Sequence, residues 1–232
     1  MQIFSFALFI LLQLPLVQTE QFRHYDTENG LSNNIVYAIY QDHEGFMWIA
    51  TENGLNRFDG YEFRKYFHNT EDDKTISSNI VRSIVEDKSG NLWIGTYNGL
   101  NLFNRETERF TRFLELPSAN VNRLDFQQMI IDKKARIWFC TLETAGWFDT
   151  ITKEFNFLPQ INNPFSISLD KEDNLWANTF DGEVFRYEVE KDSLTKISSN
   201  ISYSQLPIFW GNYSKKLWVH DSYDLLKVFK QW

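Results

Sequence analysis

Short runs of β-branched and aromatic residues, cut by turn residues, recur along the chain. Ile35-Val36-Tyr37-Ala38-Ile39-Tyr40 has the composition of a strand. Asp42-His43-Glu44-Gly45 follows as a turn, because Asp accepts bonds from the turn's own amides and Gly tolerates positive φ. Phe46 to Thr51 predicts a second strand, Asn53-Gly54 a tight hairpin and Leu55 to Phe58 a third strand. Asp59-Gly60 is another turn, and Tyr61 to Phe67 a fourth strand. The unit is a meander of four short antiparallel strands.

The same pattern returns. Gln41 to Gly60 is repeated as Glu86 to Phe103, more weakly from Asp132 to Phe148 and Asp170 to Tyr187, and in decayed form from Asn212 to Phe229. Trp48, Trp93, Trp138, Trp176 and Trp218 anchor the copies at separations of 45, 45, 38 and 42 residues. Six positions before each tryptophan stand Asp42, Asp87, Asp132, Asp170 and Asn212; three after stand Thr51, Thr96, Thr141, Thr179 and Asp221. A period of this size means one supersecondary unit reused. A four-stranded sheet this small cannot bury both faces alone, and stacking copies around an axis solves that. The expectation is an all-β fold, a β-propeller of four-stranded antiparallel blades. The tryptophans are large enough to fill the gaps between blades, and each buried indole N–H would need a partner. They could instead stack on carbohydrate, but regular recurrence inside a strand favours packing.

Blades are expected at about 35–67, 80–114, 121–158, 164–197 and 206–229. Blade three has Ala135 in place of the turn glycine and a longer hairpin, Leu142 to Gly146. Blade four has Asp173 at that turn and Phe180-Asp181-Gly182 in its hairpin. Blade five lacks a fourth strand. Residues 22–25, Phe22-Arg23-His24-Tyr25, resemble the outer strands Phe63-Arg64-Lys65-Tyr66 and Phe110-Thr111-Arg112-Phe113, and so read as an orphan outer strand. Either that strand closes a five-bladed ring, or about four full blades and a fragmentary fifth form an open arc of a larger propeller. The open arc is favoured, because nothing in blade five looks like a specialised closing unit.

Composition adds the compartment. Of 232 residues 43% are hydrophobic and 17% aromatic, ample for a folded core. The net charge of −8 comes without a basic stripe, which argues against a nucleic-acid partner. Ile3 to Val17 is apolar but broken by Ser5, Gln13 and Pro15; it suits a secretory signal, residues 1–19, with an uncleaved membrane anchor as the alternative. Cys140 is the single cysteine and reads as a buried small residue. His24, His43, His68 and His220 have no paired spacing, so neither a metal site nor a cofactor is expected.

Asp26-Thr27-Glu28-Asn29-Gly30-Leu31-Ser32-Asn33-Asn34-Ile35-Val36, with Gly45-Phe46-Met47-Trp48-Ile49-Ala50-Thr51-Glu52-Asn53-Gly54-Leu55, resembles the start of a two-component regulator propeller. The likeness is specific over 26–113, moderate to 187 and faint beyond. It implies a periplasmic, non-catalytic sensor of a two-component system that responds to glycan fragments, in which kinase and output domains belong to other stretches of polypeptide. It implies membrane attachment only through a downstream span or an uncleaved N-terminal segment.

In a propeller the loops between second and third strands share one face with the blade-to-blade loops. That face is where an oligosaccharide would be met. Its candidates are Glu52, Tyr97, Asn98, Glu143, Phe180 and Asp181: aromatic rings for sugar C–H faces, amides and carboxylates for hydroxyls. The plainer reading makes them turn and exposed loop residues. Two other function classes remain open: a propeller glycoside hydrolase, in which Glu143 and Asp181 would have to pair across a bond, and a structural or homodimerisation platform.

Overall fold

The computed structural model describes residues 23–114 and 124–199 and the backbone of three further strands at 209–211, 216–220 and 226–229. The signal-like segment and Phe22 lie outside the described residues.

Every described element is a strand. Blade one holds β1 (Val36–Gln41), β2 (Met47–Thr51), β3 (Gly54–Phe58) and β4 (Phe63–Tyr66). Blade two holds β5 (Val81–Glu86), β6 (Leu92–Thr96), β7 (Gly99–Asn104) and β8 (Arg109–Phe113). Blade three holds β9 (Gln128–Ile131), β10 (Arg136–Cys140), β11 (Thr144–Asp149) and β12 (Phe155–Asn162). Blade four holds β13 (Pro164–Leu169), β14 (Leu175–Thr179), β15 (Glu183–Glu188) and β16 (Ser193–Ser199). Blade five is a three-stranded sheet of β17 (Phe209–Gly211), β18 (Lys216–His220) and β19 (Leu226–Phe229). Each sheet is an antiparallel meander in chain order, and the innermost strands follow one another, β1 against β5, β5 against β9, β9 against β13 and β13 against β17. This is the expected propeller of four-stranded blades, arranged as an open arc.

Alternation along the strands decides which side chain meets which neighbour. Trp48 packs with Ile84, Leu92, Ile94 and Phe103 of blade two. Trp93 packs with Met129, Ile137, Phe139 and Phe148 of blade three, and Trp138 with Ile167, Leu175, Ala177 and Tyr187 of blade four. Each tryptophan thus faces the next blade, and the next blade answers with its positions nine and one before and one after its own tryptophan. Trp48, Trp93 and Trp138 are almost completely buried. Among the described residues no preceding blade lies over the equivalent face of blade one. Ile39 is 63% exposed, where Ile84, Met129 and Ile167 are 7%, 5% and 1%. That bare flank is the structural mark of the open arc.

The indole N–H groups find their partner six residues back. Trp48, Trp93, Trp138 and Trp176 donate to the carboxylates of Asp42 (2.7 Å), Asp87 (3.0 Å), Asp132 (3.0 Å) and Asp170 (3.2 Å). The other carboxylate oxygen holds the turn, as Asp42 does with the Phe46 amide at 2.9 Å. The left-handed turn position is glycine in blades one and two (Gly45, Gly90) but is held by Ala135 and Asp173 at φ 62 and 64 in blades three and four.

Three expectations change. Arg23 to Tyr25 join no sheet; the Tyr25 ring instead lies against Phe58 and Phe63, 5.0 and 5.6 Å away, so aromatic packing on blade one replaces ladder bonds. Blade three's hairpin is short, not long: Thr141 and Thr144 close it around Leu142-Glu143. Thr144 takes the place of Gly54 and Gly99, and Gly146 sits inside β11 opposite Phe139. A Cβ on Gly146 would come within 2.2 Å of the Asn156 carbonyl, so that glycine serves close strand approach. Blade three also reaches Asn162 rather than 158, because its outer strand is eight residues long.

Candidate functional face

The hairpins between second and third strands are built from beneath. Thr51 Oγ1 donates to the Gly54 carbonyl at 2.7 Å and accepts the Asn53 amide at 3.2 Å. Its proton is thereby used, so the 2.9 Å contact with Ser32 Oγ is a bond donated by the serine. Asn56 completes the lattice: its amide donates to Ser32 Oγ and the Ile49 carbonyl, and its oxygen accepts the Ser32 amide. Blade two repeats this with Thr96, Ser77 and Asn101. Asn56, Asn101, Thr51 and Thr96 are fully buried, so each bond is made where an unmade one would be costly. In blade three the asparagine position is Gly146.

The face itself follows from the backbone. Glu52, Tyr97 and Phe180 donate their amides to Ile35, Ile80 and Asn163, at the start of the innermost strand of the same blade. Gly54 and Gly99 donate to Asn79 and Leu124, in the approach to the next blade. Hairpins and blade-to-blade loops therefore lie on one face. The structure puts all six sequence candidates there, each on its own blade's hairpin. Glu52, Asn98, Phe180 and Asp181 are exposed, Tyr97 and Glu143 half-buried. Phe180 packs edge-on against Phe165 at 4.8 Å.

Sequence reasoning missed a second set. Ladder register breaks between Val36 and Ala38, Val81 and Ser83, and Pro164 and Ser166. The extra residues are Tyr37, Arg82 and Phe165, at the hairpin end of the innermost strands. Such bulges re-aim a side chain. Here the Arg82 guanidinium lies over the Tyr37 ring at 4.3 Å, and its Nε is 3.5 Å from the buried Asp125 carboxylate. Each bulged residue stands eleven before its tryptophan, a spacing that was readable; the bulge was not.

The opposite face carries the turn carboxylates. Asp42 also accepts from Arg105 of blade two at 2.7 Å, and Arg105 goes on to Glu44 (3.0 Å) and Glu86 (2.7 Å). His43 bonds Glu86 as well, beside a cleft of about 400 Å³ lined by Glu86 to Gly90. Burial alone would raise the Asp42 pKa; the bonds from Arg105, Trp48 and the Phe46 amide outweigh it and hold the carboxyl below its ordinary range. Asp87 is likewise held low, burial being outweighed by Trp93, Asn91 and turn amides. The recurrent acids are thus committed to the scaffold. Cys140 is buried and its thiol pushed up to about 12 by burial, which leaves it unreactive.

Two stretches, 30–53 and 75–98, match the family model described as two component regulator propeller. These are two-component regulator propeller repeats. Each covers the entry loop and first two strands of blade one or two, with the serine and threonine of the Ser–Thr–Asn lattice. Histidine kinase P4 of Formosa agariphila is 38% identical over 73 residues, 30% of this chain and 5% of the kinase. Among solved structures, the propeller resembles the extracellular domain of a hybrid two-component system of Bacteroides thetaiotaomicron, with TM-score 0.55 and 24% identity over 89% of this chain and 35% of that one. It also resembles the extracellular domain of a one-component system of the same organism (0.68, 20%, 90% and 31%) and Staphylococcus aureus virginiamycin B lyase (0.68, 14%, 92% and 75%). The chain spans about a third of the two extracellular domains. At these identities the structural likeness concerns the fold.

Proposed function

We propose that this chain is the ligand-binding propeller of an extracytoplasmic two-component sensor, and that its hairpin face takes glycan fragments without turning them over. The observation that carries the reading is the row of Tyr97, Asn98, Phe180 and Asp181, with the re-aimed Tyr37 and Phe165, on one face fixed from below by buried hydrogen bonds. The exposed Tyr37 and Phe180 rings and the half-buried Tyr97 and Phe165 rings offer stacking surfaces, and amide and carboxylate groups match sugar hydroxyls. The match of the repeats to the regulator-propeller model and the likeness to extracellular domains of sensors support the role and the location. The commitment of Asp42, Asp87, Asp132 and Asp170 to tryptophan N–H groups supports a binding role over hydrolysis.

Calorimetric titration of the chain with a panel of neutral oligosaccharides tests this. Binding with no product formed is expected, and Tyr97→Ala with Phe180→Ala should weaken it at least about tenfold, roughly 1.4 kcal/mol. Unchanged binding in that double variant would remove the face from the account. Turnover abolished by Glu143→Gln or Asp181→Asn would replace the sensor with an enzyme.

A further inference from the structure

The pentapeptide Thr-Glu-Asn-Gly-Leu occurs twice, as Thr27 to Leu31 and as Thr51 to Leu55, and a third Asn-Gly pair stands at Asn98-Gly99. Asn-Gly is the pair most open to intramolecular deamidation. The glycine amide nitrogen attacks the asparagine side-chain carbonyl, and glycine has no side chain to block the approach. All three asparagines are exposed, so solvent access does not distinguish them. The engagement of the glycine amide does.

In the two hairpins that amide is committed. Gly54 donates to the Asn79 carbonyl at 2.7 Å and Gly99 to the Leu124 carbonyl at 2.9 Å, and both glycines are buried. Thr51 and Thr96 close these hairpins from beneath. A Cβ on Gly54 would come within 2.8 Å of the Phe67 ring, and one on Gly99 within 2.5 Å of Leu114, so neither hairpin has room to rearrange. To attack, either nitrogen must leave a bond that ties one blade to the next, with the carbonyl left unmet.

Gly30 is placed differently. It lies in the turn before blade one, half-buried, at φ 106. Among the described residues its amide reaches the Thr27 carbonyl, at 3.4 Å. The shorter bonds of this turn go to its neighbours: Asp26 Oδ1 accepts the Glu28 amide at 2.8 Å, and the Asp26 carbonyl accepts the Leu31 amide at 3.0 Å. The Asn29 side-chain nitrogen is 3.1 Å from Asp26 Oδ1 and 3.3 Å from the His24 carbonyl. Asp59-Gly60 is exposed as well, but the amides of Glu62 and Tyr61 hold the Asp59 carboxyl below its ordinary range, and an ionised carboxylate is a poor electrophile.

We propose that Asn29 is a site of spontaneous deamidation, which the fold leaves open while it closes Asn53 and Asn98. The Gly30 nitrogen gives up its proton and bonds to Asn29 Cγ. The side-chain amide leaves as ammonia, and water opens the succinimide to aspartate or isoaspartate. Either product puts a second carboxylate beside Asp26. Isoaspartate also lengthens the backbone between Tyr25, which lies on Phe58 and Phe63, and Ser32, whose amide bonds Asn56. The modification therefore acts on the tether between the N-terminal segment and blade one.

Peptide mapping by mass spectrometry tests this on the full chain, held folded at mildly alkaline pH and, in parallel, unfolded in urea. In the folded chain Asn29 should convert at least about tenfold faster than Asn53 or Asn98, a barrier difference of roughly 1.4 kcal/mol. In urea Asn29 and Asn53, set in identical pentapeptides, should convert at closely similar rates. Asn29→Gln should remove the fast conversion. An Asn29 no faster than Asn53 or Asn98 in the folded chain, the same gap in urea, or a fast conversion that persists in Asn29→Gln would overturn the proposal.

Discussion

Trp48→Ala should destabilise the chain by about 3–5 kcal/mol, the usual cost of removing a fully buried large aromatic, read as a lowered midpoint of denaturant unfolding. The indole is 0% exposed. It stacks on Tyr66 of its own blade at 5.8 Å and meets Phe103 of blade two edge-on at 4.9 Å. Tyr66 in turn touches Phe103 and Phe110, so the indole is one wall of a four-ring cluster that crosses the blade boundary. Removal leaves a cavity between two sheets, and neither sheet can close it without shifting the other. A cost below about 1 kcal/mol would mean that the tryptophan is not the wedge between blades.

Asp42→Ala should cost about 3 kcal/mol, the low end for breaking a buried ion pair. Three donors lose their acceptor: the Trp48 indole N–H, the Phe46 amide and Arg105 Nη1. The guanidinium keeps Glu86, which holds the cost at the low end. The same group sets a pH dependence. Its folded pKa lies below the value of about 3.9 expected for unfolded Asp. The unfolded state therefore binds the proton first, and the stabilisation is present above about pH 4 and lost as pH falls through the folded pKa. Asp42→Asn keeps an oxygen for the turn and should flatten this acid limb while costing less than Asp42→Ala. An acid limb as steep in Asp42→Asn as in the unaltered chain would assign the effect elsewhere.

What the sequence disclosed was what repeats at fixed spacing. Trp48 and Asp42 recur together because strand, turn and indole bond lie within seven residues. Local turn chemistry likewise marked Ala135 and Asp173 as stand-ins for glycine, and both hold the left-handed angle. What stayed hidden depends on contacts between distant residues. Arg105 reaches Asp42 across 63 positions, and Gly146 looked like a turn residue because only the approach of Asn156 explains it. The six candidate residues lie on the blade hairpins because hairpin position follows from blade topology. Tyr37, Arg82 and Phe165 were missed because a bulge has no signature of its own in these strands. Ser32 and Asn56 were legible in principle, since both recur 45 residues later as Ser77 and Asn101, but their roles appear only when three strands meet.

The account rests on each sheet being shielded by its neighbour, and a double-mutant cycle across one boundary measures that. Unfolding free energies of Trp48→Ala, Phe103→Ala and the pair should show a coupling of about 1 kcal/mol or more. Additive losses, with no coupling between residues on two different blades, would mean that the blades stand independently and would contradict the propeller account of this chain.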